Sequence, residues 1–164
     1  MHCLIQFVAI LAYLTPITTE DLLPDTKFVR DATNLGALER ITDKPHQMAD
    51  QTVLDCRPPD FGPHNLHEPT DGPVFCNVYV SESATQAILS GSRDYGVNSL
   101  VVKTKLRSKD PNEIILYTVM RKMQSGYDPK HDDWEYSVID GPTRKVLARG
   151  RIDSCIGFHR QHAD

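Results

Sequence analysis

Five stretches of this chain run apolar in the manner of half-buried strands, with turn-forming residues between them. From Val74 to Ser81, Val74, Cys76, Val78 and Val80 alternate with Phe75, Asn77 and Tyr79, a period of two. Ser99 to Leu106 predicts a second strand, with Lys103 and Lys105 projecting from one face. Ile114 to Lys122, Trp134 to Asp140 and Val146 to Ile152 complete the set. Ser125 to Pro129 and Gly141 to Arg144 supply turns between them. Helical signals are fewer. Ser81 caps a predicted helix in which Ala84, Ala87 and Ile88 share a face, and Gly91 stops it. A second short helix is predicted over Asn34 to Ile41. The pattern predicts an α+β, mainly β domain: an antiparallel sheet of about five strands with a few helices.

The first half reads differently. Leu4 to Leu14 is an apolar run of the length of a signal-peptide core, too short to span a bilayer as a helix, although no Lys or Arg precedes it. Residues 1–19 are therefore read as a signal peptide, 20–50 as an extension or linker, and 51–164 as the folded domain. This predicts a periplasmic or secreted protein. Most of the eleven prolines fall before residue 75, and Arg57 to His64 is loop by its Pro and Gly content. That loop carries His64 and His67, a pair without a third metal ligand in view.

Composition narrows the function classes only slightly. The chain has 164 residues, enough for one domain with a real core, and a net charge of -4. This gives no electrostatic reason to expect nucleic acid or an anionic membrane as partner. Four cysteines stand at 3, 56, 76 and 155. In an exported protein Cys56 and Cys76 would pair and leave Cys155 for other chemistry; a plain buried thiol at Cys76 is the alternative.

Candidate chemistry concentrates at Ser154-Cys155-Ile156-Gly157-Phe158-His159. In Cys-x-x-Cys-His, two thiols add to haem vinyl groups and the adjacent His ligates iron. Cys155 and His159 stand at those offsets, with Phe158 in place of the second Cys. Arg149 and Arg151 are placed to meet haem propionates or to form a solvated strand edge. Trp134 and Tyr136 read as core. Asp128, His131, Asp132 and Asp133 form an acidic loop whose spacing fits no calcium motif.

Taken in order, Tyr117-Thr118-Val119-Met120-Arg121-Lys122, Gly126-Tyr127-Asp128-Pro129, Asp133-Trp134-Glu135-Tyr136, Ala148-Arg149-Gly150 and Cys155 with His159 resemble the cytochrome P-460 family, whose relatives include the cytochromes c′-beta. The resemblance covers roughly residue 56 onward. It implies a five-stranded antiparallel sheet with helices, a homodimer, and one c-type haem between the sheet and the C-terminal segment. By the same resemblance His159 is the axial ligand of the haem iron, Cys155 the first thioether cysteine, and Lys103 the lysine that cross-links to the haem edge, with Lys105 the near alternative. The implied chemistry is hydroxylamine or nitric oxide at an open haem face, with an electron-transfer partner. Three departures from the family pattern matter. Phe158 removes one thioether, Thr104 stands where a Glu is usual, and the chain stops soon after the motif. Singly tethered haem, non-covalent haem and a haem-free binding or structural module are all compatible with this sequence.

Overall fold

The computed structural model describes residues 24–48 and 73–161. The predicted signal peptide, Cys3, Cys56, His64, His67 and the stretch 51–56 lie outside the described residues.

The chain enters through helix α1 (Pro24–Thr33), followed by a 3-10 turn (Leu35–Ala37) and two short strands, β1 (Glu39–Arg40) and β2 (His46–Gln47). The main sheet is built by β3 (Phe75–Val80), β4 (Leu100–Leu106), β5 (Ile114–Lys122), β6 (Trp134–Asp140) and β7 (Val146–Gly150). Helix α2 (Glu82–Leu89) joins β3 to β4, and helix α3 (Asp153–Gln161) follows β7. Strand order is β1-β3-β4-β5-β6-β7, with β2 also pairing with β3, and every pairing is antiparallel. The five strands of the hydrophobic pattern are thus the five long strands found. Their ends differ from the sequence reading by at most two residues, within the ordinary uncertainty of strand ends.

Because side chains alternate along a strand, the sheet has two separate buried faces. Tyr79, Val102, Tyr117, Val119 and Ile139 pack on one face against Phe28 and Ala32 of α1. Leu116, Tyr136 and Val138 pack on the other against Ile152, Cys155 and Ile156, the last two from α3. Each helix therefore covers one face. A sheet buried on both sides explains why its strands read as apolar runs as much as strict alternations.

Residues 24–48 do more than link. Phe28 and Ala32, four residues apart, share one side of α1 and are 4% and 0% exposed. Proline at the first helical position and Asp25 in the first turn suit a helix start. The helix predicted over Asn34 to Ile41 is corrected: only Leu35–Ala37 turns, and Glu39 and Arg40 pair with Val80 and Tyr79. In α2, Ala84 and Ala87 are buried as the pattern predicts, but Ile88 is exposed. Ser81 is the N-cap residue, as predicted, but its side chain makes no capping hydrogen bond. Its hydroxyl accepts the Leu100 backbone N–H at 2.9 Å and so ties α2 to the start of β4.

Candidate functional site

Strand β4 carries Lys103 one residue beyond the fully buried Val102, so the ammonium-bearing side chain emerges on the α3 face. Antiparallel register places Val78 of β3 and Thr118 of β5 directly opposite Lys103. Tyr136 of β6 is opposite Met120 on the same face. Above them runs α3, in which Cys155 and His159 are four residues apart and therefore share a helix face. Asp153 in the first turn and His159 and Arg160 in the last suit the helix dipole, and Ile152, Cys155 and Ile156 anchor the helix in the core.

A cavity of about 280 Å³ lies between this helix and the sheet. Cys76, Val78, Val101, Lys103, Thr118, Met120, Tyr136, Cys155 and His159 line it. The Tyr136 and His159 rings lie 5.6 Å apart, tilted by 32°, and Phe158 meets His159 edge-on at 5.3 Å. The Lys103 ammonium is 5.5 Å from the Phe158 ring centroid, within cation–π range. Four residues singled out from the sequence, Lys103, Cys155, Phe158 and His159, are therefore neighbours in space.

Arg149 is not among them. Its register partner is Ser137, and it points to the α1 face. There its guanidinium pairs with Glu135 at 3.2 Å and with Asp25, and lies 4.2 Å from the Phe28 ring centroid. Arg121 joins the same cluster, 2.8 Å from Glu135. The expected propionate contact of Arg149 is thus corrected: Arg149 fastens α1 on the opposite side of the sheet from His159. Arg151 stacks near Tyr127, 5.8 Å from its centroid. Lys105, the near alternative to Lys103, is 1% exposed opposite Cys76, which removes the reading of a solvated lysine there.

The sequence reading passed over Cys76 as a wall of this site. Cys76 is half-buried and is a free thiol, which corrects the expected disulfide at Cys76 in favour of the unpaired alternative. Burial pushes that thiol above its ordinary value, while Lys103 and then Lys105 pull it down. The signal was available: Cys76 and Val78 share a phase on β3, and the register with β4 sets both on the side of Lys103. The acidic loop is self-contained. Asp128 bonds His131 at 2.8 Å, Asp133 accepts the backbone N–H of Asp128 at 2.7 Å, and no group of three ligands able to hold a metal ion occurs among the described residues.

The donor set suits a haem in kind: an imidazole and a thiol one helical turn apart, apolar walls, and a lysine on the facing strand. In size the space falls short of a porphyrin ring, so accommodating one requires α3 to stand further from the sheet. No helix among the described residues is long and apolar enough to cross a membrane. In comparisons with known proteins, the chain matches no family model, no curated protein and no solved structure.

Proposed function

We propose that this chain is an exported mono-haem protein of the cytochrome P-460 type that handles a small nitrogen-oxide ligand, hydroxylamine or nitric oxide. The observation that carries the reading is the convergence of Cys155, His159 and Lys103 on one apolar cavity. These residues come from α3 and β4, more than fifty positions apart, yet share a space as the resemblance requires. A bound haem would supply redox-active iron. The protein's own residues do the rest. His159 would offer an imidazole nitrogen to the iron, with the Tyr136 ring 5.6 Å from its own. Cys155 offers a thiol for a thioether. Val78, Val101 and Met120 give the site apolar walls, and Lys103 brings a cation to its edge, beside Phe158. Homodimerisation and an electron-transfer partner are part of the same proposal by resemblance.

The test is an absorption spectrum of the chain expressed with c-haem maturation machinery, followed by acid–acetone extraction. A Soret band that survives extraction is expected. His159→Ala should change the ligand-field bands while leaving covalent haem in place. Absence of a Soret band in the unaltered protein ends the haem reading.

The close packing of α3 favours one second reading. Cys155 and Ile156 are 3% and 8% exposed, and the cavity is small as it stands. A haem-free binding module would use the same apolar space for a compact ligand. Saturable thermal stabilisation by small apolar compounds, in protein without a Soret band, is the result that selects it.

A further inference from the structure

The cavity between α3 and the sheet is charged in one sense only. Among the described residues no Asp or Glu lines it, whereas Lys103 does. Lys103 pairs with no carboxylate of the described residues; its ammonium has the Phe158 ring as neighbour, 5.5 Å from the centroid. That charge is felt inside the space: burial pushes the Cys76 thiol up, and Lys103 acts against it. Elsewhere the wall is apolar, with Val78, Val101 and Met120 from three neighbouring strands and the Tyr136 ring beside them. The volume of about 280 Å³ is roughly twice the ~150 Å³ of an apolar cavity that takes up benzene. It has room for one ring and a short substituent.

We propose that this cavity binds a compact aromatic monocarboxylate, its carboxylate on the Lys103 ammonium and its ring against Met120 and Tyr136. The inference rests on the haem-free reading above and involves no covalent step. A carboxylate gives Lys103 a charge-assisted hydrogen bond that no described carboxylate gives it. The ring covers the apolar wall, where the Met120 thioether is a favourable partner for an aromatic ligand. A neutral hydrocarbon would strip water from the ammonium and return no hydrogen bond. A cationic ligand would meet Lys103 as a like charge, with no acidic side chain on the described wall to offset it.

The experiment titrates the full haem-free chain with benzoate, toluene and benzylamine, three molecules of similar size and different charge. Calorimetry gives the affinities, and the methyl resonance of Met120, assigned with Met120→Leu, reports where each compound sits. Benzoate is expected to bind saturably and to shift the Met120 methyl, and benzylamine to do neither. Lys103→Met should weaken benzoate by about tenfold and leave toluene unchanged, while Lys103→Arg should keep most of the affinity. Toluene bound as tightly as benzoate overturns this inference and leaves the haem-free binding reading standing. Benzoate that binds without moving the Met120 methyl sits elsewhere, and also overturns it. If none of the three compounds moves that methyl, the inference and the haem-free reading fall together, as they do if the unaltered chain carries haem. The comparison of benzoate with toluene in the unaltered chain decides the matter even where a Lys103 variant does not fold.

Discussion

At the scale of single residues, burial and register decide roles that residue type leaves open. Lys103 and Lys105 look equivalent in sequence, both on one face of β4. The fold gives Lys103 the cavity and buries Lys105 opposite Cys76. Between these lysines and the apolar wall, Cys76 has its proton affinity raised by burial against an ordinary value of 9.0. The folded state therefore holds this proton more tightly than the unfolded chain does. Stability from this source is complete below pH 9.0 and is lost as pH rises through the folded pKa. Denaturant midpoints measured on either side of that value should fall with rising pH, and should fall less in Cys76→Ser. Tyr127, also raised by burial from 10.0, contributes in the same direction in both proteins and so does not obscure the difference. An equal slope in the two proteins would show that Cys76 does not couple to folding.

At the scale of elements, the five long strands were legible because their apolar phase is strong and their turns carry Gly, Pro and Asp. The contacts between elements were not. Arg149 illustrates why: a period of two says that neighbours face opposite sides, but not which side carries the site. Only the pairing of Arg149 with Ser137, next to Glu135, fixes that. Helix α1 escaped because its apolar face is narrow, Phe28 and Ala32 with Val29 beside them, within a polar sequence. Two glycines test element packing with opposite signs. At the β6–β7 turn, a Cβ on Gly141 would lie 2.1 Å from the Ile114 carbonyl oxygen, a backbone atom that cannot swing aside. Gly141→Ala should cost about 3 kcal/mol, the upper part of the usual range for overpacking. Within α3 a Cβ on Gly157 would meet nothing within 4 Å. Gly157→Ala should stabilise by about 0.5–1 kcal/mol through helix propensity. Chemical denaturation of both variants checks the pair, and a destabilised Gly157→Ala would mean that α3 needs its glycine for something other than helix formation.

At the scale of the whole molecule, the site's residues could be named from one motif and a family likeness, but their meeting depends on distant register. Lys103 reaches α3 only because β4 lies two strands from β6, which carries Tyr136. The sheet separates two helices that never share a core: Phe28 belongs to one cluster and Ile156 to the other. Energetically, the two sides of the sheet are then independent. Phe28→Ala should cost about 3–5 kcal/mol and Ile156→Ala about 2–5 kcal/mol. Their double variant should cost the sum to within about 0.5 kcal/mol. A larger coupling would mean that strain passes through the strands. Additivity instead gives the α3 side freedom to change its residues, its contents and its ligand without reopening the α1 core, so substitutions can accumulate around the cavity while the fold stays the same.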